Sequence, residues 1–233
     1  MPVLMYHKIH PDRPDALTVT VPQFEAQLDW LRKNRYRTVS LQQLTDAVEH
    51  NRPLPARTVL ITFDDAYVNN LTYALPLLRR FDMRAAVFVP TAYLGGFNEW
   101  DGGTEPLLNP EQLREMMPVF ELALHSHRHR NYKTLPLPEM EADIRENLAA
   151  FQRLDLPFIP ALAYPYGGRP KDPAQKLAMQ DILRKAGVGL AFRIGNRLNR
   201  FPAADRFELQ RLDIRGTDSM GRFVRKIRFG KLL

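Results

Sequence analysis

The chain has 233 residues, of which 45% are hydrophobic and 25% charged, a composition typical of one soluble globular domain. It contains no cysteine, which excludes a disulfide framework, a thiolate zinc site and a cysteine nucleophile. The formal charge of +7 favours anionic partners such as nucleic acid, phosphorylated glycans or acidic lipid headgroups; a basic protein without such a partner is the alternative.

The amino-terminal residues 1–7 show no basic segment followed by a long apolar stretch, so they do not resemble a signal peptide. No run of the chain approaches the roughly 18 apolar residues of a membrane span. We therefore expect a cytoplasmic protein, although a chain trimmed of its leader would look the same.

Short apolar runs alternate with helical patterns, which predicts a largely parallel α/β fold. Thr20 and Ser40 precede the first two helical patterns as N-caps, and Gly187 follows the last one. In chain order we predict a strand at 3–6, helices at 21–34 and 41–50, a strand at 58–63, a helix at 71–81, a strand at 85–89, a glycine-rich loop at 94–109, a helix at 110–117, a strand at 121–124, a helix at 138–153, a strand at 161–164 and a helix at 172–186.

Unusual polar groups follow three of these strands directly. Asp64 and Asp65 follow the strand at 58–63, His125 follows the strand at 121–124, and a Pro-Tyr-Gly-Gly turn follows the strand at 161–164. Because the carboxyl ends of parallel strands converge at one end of such folds, we expect these groups to meet in one site.

The adjacent carboxylates of Asp64 and Asp65 point in different directions at a strand end, so they need not share a role. One could bind a metal ion while the other acts as a base. The alternative is a helix N-cap with a helper charge, which is common after strands.

A histidine cluster, His-Ser-His-Arg-His, holds three of the six histidines in the chain. On one helical turn, His125 and His129 would face the same side and could bind one ion, whereas His127 would not share that face. Two histidines and one carboxylate would leave coordination positions open for water and substrate. The alternative is a solvated basic turn before Arg130.

Two weaker signals concern the substrate. Backbone N–H groups of the turn at 164–168 could line an oxyanion site. Trp100, in the glycine-rich loop, could stack on the apolar face of a sugar ring, although a loop tryptophan more often packs against the protein itself.

Together these motifs resemble the polysaccharide deacetylases, the NodB-like group of carbohydrate esterases. The segment 59–95 is similar to the family's first motif region, 121–135 to its His-x-x-x-His metal motif, and 163–167 to its Pro-Tyr-Gly motif. The segments 98–101 and 209–212 also resemble family sequences. The resemblance implies that residues 1–233 form a single domain, a distorted (β/α) barrel of seven or eight strands.

The resemblance also implies a reaction, the hydrolysis of an acetamide on a sugar by a bound divalent metal ion, usually zinc. Carried over by position, Asp64 is the general base, and the metal ligands are Asp65, His125 and His129. The backbone N–H of Tyr166 would bind the oxyanion together with the metal.

The sequence departs from the family pattern in its first and third motifs. Ala66 stands where the family usually has a glycine, and Ala163 stands where it often has an arginine. Another cation must therefore orient Asp64, and we assign Arg211 to this role. We also count Arg211 among the substrate contacts, with Tyr166 and Trp100.

A third departure concerns the acid that protonates the leaving amine. The family usually supplies a histidine near the carboxyl terminus, but no histidine follows His129 here. Some family members instead begin with a strand that ends in Met-Tyr-His, and Met5-Tyr6-His7 fits that pattern. The resemblance therefore implies that His7 is the general acid; a strand-end histidine without a role is the alternative.

We thus expect removal of an acetyl group from an N-acetylated sugar in glycan or lipopolysaccharide assembly. One alternative is a related amide hydrolase, such as a deformylase or a ring-opening amidase. Another is a barrel that has lost catalysis and only binds glycan, which the absence of the C-terminal histidine favours unless His7 replaces it. Nucleic acid is not expected as a partner, because no nucleic-acid-binding motif is present.

The segment 222–233 interleaves five basic residues with apolar ones. Phe223, Val224 and Ile227 could share one helical face, the pattern of an interfacial helix. Such a helix would hold the protein peripherally on the anionic inner membrane surface, with a lipid-linked sugar as substrate. The alternative is a final helix docked on the barrel with its apolar face buried.

Overall fold

Seven parallel strands close into a barrel in the computed structural model, which describes residues 1–230. The strands are β1 Val3–Tyr6, β2 Lys8–His10, β3 Thr18–Thr20, β4 Arg37–Thr38, β5 Thr58–Asp64, β6 Ala85–Val89, β7 Phe120–Leu124, β8 Ile159–Ala163, β9 Leu190–Ile194 and β10 Leu209–Asp213. The ring closes because β1 pairs with both β5 and β10. Its spatial order is β1, β5, β6, β7, β8, β9 and β10, while β4 pairs with the start of β5 and β2 pairs with β3.

The predicted helices form, and their ends follow the capping chemistry of the sequence. The side chains of Thr20 and Ser40 accept hydrogen bonds from the backbone N–H groups of Gln23 and Gln43, which confirms both predicted N-caps. The helices are α1 Val21–Lys33, α2 Leu41–Glu49, α3 Leu75–Arg80, α4 Pro110–Met116, α5 Leu137–Arg153, α6 Pro173–Lys185 and α7 Met220–Phe229.

The predicted helix at 71–81 is only partly correct. A short π-helix, Asn70–Ala74, precedes α3, and Pro76 lies in the first turn of α3. Proline has no N–H group to donate to the preceding turn, so it suits a helix start better than a helix interior.

The pleat of the strands decides which side chains enter the barrel. In β5, Val59, Ile61 and Phe63 pack towards the helices, whereas Leu60 lies in the inner cluster, and Asp64 has the same parity as Leu60. The inner cluster combines small and large side chains from the ring: Val3, Leu60, Ala86, Phe88, Ala123, Ala161, Ala163, Leu190, Phe192 and Leu209. At the end of a strand, a polar residue with the same parity as the inward-facing apolar residues therefore points into the barrel, as Asp64 does.

The carboxyl-terminal helix α7 docks on the barrel, as the alternative interpretation of 222–233 expected. Phe223 and Ile227 are buried, and the Phe223 ring packs edge-on against Trp30 of α1. The interfacial interpretation is therefore wrong for these two residues, because the barrel already covers them. Lys231, Leu232 and Leu233 of the predicted segment lie outside the described residues. Within 1–230, none of the helices has the length and apolar character needed to cross a bilayer.

Candidate active site

A cavity of about 360 Å³ opens at the carboxyl ends of the barrel strands and collects most of the predicted site residues. Asp64 is the last residue of β5, and Asp65 follows it. The other predicted residues that line this cavity come from loops after four further strands: His7, Trp100, His125, His129 and Tyr166. The expected convergence of strand-end groups is therefore confirmed, and Arg211 is the one predicted residue that lies behind the cavity wall.

Asp65, His125 and His129 form a compact cluster in which every ligand atom lies within 4.8 Å of the others. The Nε2 atoms of His125 and His129 lie 3.3 and 3.2 Å from Oδ1 of Asp65. All three residues are buried, and Oδ1 of Asp65 has no hydrogen-bond partner among the described residues. A buried carboxylate oxygen without a partner, facing two imidazole nitrogens, fits a divalent cation.

The two histidines meet without the helical turn that the sequence predicted. Residues 125–129 form a loop after β7, and Ser126 and His129 adopt left-handed backbone conformations with φ of 63° and 50°. The helical premise was therefore wrong, although the pair does converge. Left-handed residues other than glycine cost energy, so the surrounding structure must hold this loop in place.

Asp143, on α5, holds the loop through three hydrogen bonds. Its Oδ1 accepts from the backbone N–H of Arg128 at 3.0 Å, and its Oδ2 accepts from the N–H of His127 at 3.0 Å and from the Tyr132 hydroxyl at 2.8 Å. Asp143 is itself buried. A buried carboxylate with three donors fixes the backbone between the two histidines that carry the cluster.

His125 also has a fixed ring orientation. Its Nδ1–H donates to the backbone carbonyl of Ala163 at 2.8 Å, so Nε2 is the nitrogen that faces Asp65. His127 points elsewhere: its ring contacts the Thr91 hydroxyl at 2.9 Å and does not line the cavity. The prediction that His127 does not share the site is confirmed.

Arg211 and Asp64 form a buried bidentate ion pair. Nη1 and Nη2 of Arg211 lie 2.5 and 2.7 Å from the two carboxylate oxygens of Asp64. Arg211 has no exposed surface, so its predicted contact with substrate is wrong, whereas its predicted contact with Asp64 is confirmed. Burial alone would raise the pKa of Asp64, but the charges of Arg211 and His125 oppose this and lower the pKa below its usual value.

His7 reaches the cavity from the end of β1. Its Nε2 lies 4.0 Å from Oδ2 of Asp64, and its side chain is 14% exposed. The Asn70 side chain donates to the backbone carbonyl of His7 at 2.8 Å and so fixes the strand end. His7 is therefore placed beside the carboxylate and within reach of a ligand in the cavity.

Aromatic side chains form the rim. The Trp100 ring stacks on His129 at 4.2 Å between centroids, and the Tyr166 ring meets the same histidine edge-on at 4.8 Å. Tyr166 is 55% exposed and has φ of 59°. Trp100 thus packs on a histidine of the cluster, as the alternative interpretation expected, and it also lines the cavity. Its stacking on a sugar ring stays a prediction.

The turn after β5 has an unusual backbone conformation at Asp65 and at Ala66, the residue that stands where the family usually has a glycine. Both adopt left-handed conformations, with φ of 72° and 57°, directly after β5. Glycine would take this turn without strain, whereas alanine adopts it at a cost that the buried surroundings must offset.

Sequence reasoning missed several residues of the cavity, notably Tyr67, Asp213 and Arg215. Asp213 was within reach, because it lies two residues after Arg211 in β10 and therefore points to the same side of the strand. Tyr67 gave no such signal. It follows Asp65 by two residues and lines the same cavity, where its hydroxyl is buried without a partner among residues 1–230.

The sequence matches known proteins over most of its length. The polysaccharide deacetylase pattern matches residues 51–188. Bacillus subtilis (strain 168) YxkH is 27% identical over 169 residues, which cover 72% of this chain and 57% of the relative. A poly-β-1,6-N-acetyl-D-glucosamine N-deacetylase of Staphylococcus aureus (strain MSSA476) is 27% identical over 187 residues, which cover 75% of this chain and 60% of the relative.

The family pattern covers more than half of the chain. The chain belongs to the polysaccharide deacetylase family. The structure of the Streptococcus pyogenes deacetylase PplD in complex with acetate superposes on this chain with a TM-score of 0.80 over 98% of both chains, at 22% identity. This likeness confirms the predicted (β/α) barrel. The chain spans 57% of YxkH and 60% of the staphylococcal relative.

Proposed function

We propose that this polysaccharide deacetylase removes the acetyl group from an N-acetylated amino sugar of a glycan, with a divalent metal ion at Asp65, His125 and His129. The observation that carries the proposal is the cavity in which this cluster lies beside the ionised Asp64. The staphylococcal relative, whose name states that it deacetylates poly-β-1,6-N-acetyl-D-glucosamine, supports the same substrate class.

Zinc suits this donor set, since two imidazole nitrogens and one carboxylate oxygen are common zinc ligands and leave a position open. Burial would raise the pKa of Asp65, but His125 and His129, which face its carboxylate, outweigh this and hold the pKa well below its usual value, so the carboxylate is ionised at neutral pH. Burial lowers the pKa of His129 and favours the neutral imidazole that binds metals. A bound ion would supply Lewis-acid polarisation of the acetyl carbonyl.

The remaining steps belong to side chains of this chain. Asp64 takes a proton from the attacking water through Oδ2, the oxygen nearest to His125 and His7, while Arg211 holds the carboxylate in position. The backbone N–H of Tyr166 donates to the oxyanion that develops on the acetyl group. His7 then donates a proton to the leaving amine, the role that a carboxyl-terminal histidine has elsewhere in the family.

We expect His7→Ala to lower kcat about 10²- to 10³-fold while KM changes less than about threefold, because a general acid acts mainly in the transition state. Steady-state kinetics of acetate release measure both constants. His10→Ala is the matched control, since His10 does not line the cavity. A His7→Ala enzyme with wild-type kcat would place the acid on another residue.

We expect Asp143→Asn to weaken metal binding about 10- to 100-fold, the usual effect of removing a group that orients metal ligands. The amide nitrogen of asparagine cannot accept hydrogen bonds, so the bonds that one of the two carboxylate oxygens of Asp143 accepts are lost. Competition with a chromophoric chelator measures the affinity. Tyr132→Phe, which keeps both backbone contacts of Asp143, should change it much less, and equal effects of the two variants would contradict the role of Asp143.

A panel of substrates tests the proposed function as a whole. Purified protein of known metal content is incubated with N-acetylglucosamine, its β-1,6-linked oligomers, and nucleotide-linked and lipid-linked N-acetyl sugars, and released acetate is measured. Metal-dependent acetate release from at least one of them is expected. Release of formate from N-formyl sugars alone would identify a deformylase, and glycan binding without any release by the metal-loaded protein would identify a barrel without catalysis.

A further inference from the structure

The end of the barrel opposite to the candidate active site carries three adjoining cavities of about 570, 430 and 450 Å³. The first two share Leu54 and Thr58, and the last two share Arg37 and Thr38. Thr58 begins β5 and Arg37 begins β4, so these cavities lie at the amino-terminal ends of the strands. The first and the last share Tyr36, so all three adjoin and form one continuous depression, called here the basal groove.

Arginine is the dominant charged residue of the basal groove. Two carboxylates, Asp46 and Asp82, are the only acidic residues in its lining, and neither lysine nor histidine contributes within the described part of the chain. Seven arginines line it: Arg32, Arg35, Arg37, Arg52, Arg57, Arg200 and Arg228. In the candidate active site acidic residues outnumber arginine instead, with four aspartates and one arginine in the lining.

Six of these seven arginines form no salt bridge with a carboxylate in residues 1–230; the exception is Arg32, which pairs with Asp29. Arg57 donates to the carbonyl of Asn34, and Arg228 lies over the Trp30 ring. Arg37, Arg52 and Arg200 are exposed and make no side-chain hydrogen bond to described residues. Their guanidinium groups can therefore bind an external ligand without losing a side-chain hydrogen bond to another described residue.

We propose that the basal groove binds an anionic chain that carries repeated phosphate groups. Guanidinium groups bind phosphate oxygens in pairs, which favours arginine over lysine at such sites. The groove is concave and continuous over three cavities, so it suits a chain that lies in it, whereas a bilayer surface would meet protruding residues. The proposal is independent of the deacetylase function, since no residue of the groove lines the candidate active site.

The test uses inorganic polyphosphate of defined length as the probe and titrates it into the full chain at several salt concentrations. A groove variant combines Arg37→Gln, Arg52→Gln and Arg200→Gln, one or more from each cavity. A control variant combines Arg13→Gln, Arg145→Gln and Arg153→Gln, which are exposed arginines outside the groove. Each variant loses three positive charges, so the two differ only in the position of the removed charges. Thermal unfolding verifies that both keep the fold.

The groove variant is expected to bind polyphosphate about 10- to 100-fold more weakly. Its slope of log affinity against log salt should fall by about 2 to 3, since each of the three lost phosphate contacts contributes about 0.7 to 0.9 to the slope. The control variant should stay within about twofold of wild type, and orthophosphate should bind far more weakly than the chain. Equal losses in the two variants, absence of polyphosphate binding at low salt, or groove-dependent binding to phosphatidylglycerol vesicles without binding to polyphosphate would each overturn the proposal.

Discussion

Asp64→Asn is expected to lower kcat for acetate release about 10²- to 10⁴-fold while the bound metal is kept. Asparagine has nearly the shape of aspartate, but its neutral amide cannot take a proton from water in the transition state. It also removes the anionic partner of the fully buried Arg211, and breaking a buried ion pair costs about 3–5 kcal/mol of stability. Kinetics must therefore be combined with metal analysis and thermal unfolding.

Asp101→Asn is the matched control for this experiment. Asp101 lines the same cavity but is exposed and forms no ion pair with another described residue, so the same chemical change should leave kcat near the wild-type value. A folded, metal-bound Asp64→Asn enzyme with wild-type activity would exclude Asp64 as the base.

Asp65→Asn is expected to abolish stable metal binding. The substitution removes the one negative charge of the cluster, and the two neutral imidazoles that remain bind a divalent ion much more weakly. Metal content after gel filtration should fall from about one ion per chain to a small fraction of that value, and activity should fall with it.

Thermal unfolding gives a second measure of the same effect. Zinc at about 100 times its dissociation constant should stabilise the wild-type protein by about 2.7 kcal/mol and should leave Asp65→Asn unchanged. Asp64→Asn should respond to zinc as the wild type does. If instead Asp64→Asn lost the metal and Asp65→Asn kept it, the roles of the two aspartates would be reversed.

The sequence could predict which site residues lie at the ends of strands. Asp64, Asp65 and His125 follow apolar runs long enough to be recognised as buried strands, and parallel strands deliver such residues to one end. The spacing of His125 and His129 suggested a helix, but the residues between them form a loop that Asp143 holds in place. Asp143 lies on α5, 14 residues beyond His129, and it contacts this loop only in the folded chain.

The strands that escaped prediction explain the other misses. β2, β3 and β4 have two or three residues, too few for a periodic pattern. β9 was missed as well, although it begins with the apolar run Leu190, Ala191 and Phe192. β10 contains Gln210 and Arg211, and the buried arginine interrupts the apolar alternation. Its charge is tolerated inside the barrel only because Asp64 neutralises it, and that pairing joins residues 147 positions apart in the sequence.

The alanines inside the barrel bear on any attempt to make this protein more heat-resistant. Ala86, Ala123, Ala161 and Ala163 leave the room that Phe88, Phe192 and Arg211 occupy, with the guanidinium 5.3 Å from the Phe88 ring. Larger aliphatic residues at these positions are the usual choice for strengthening a core, but here they would displace the arginine that pairs with Asp64. Engineering for robustness is therefore better directed at the outer layer between strands and helices, whose apolar cluster does not line the cavity.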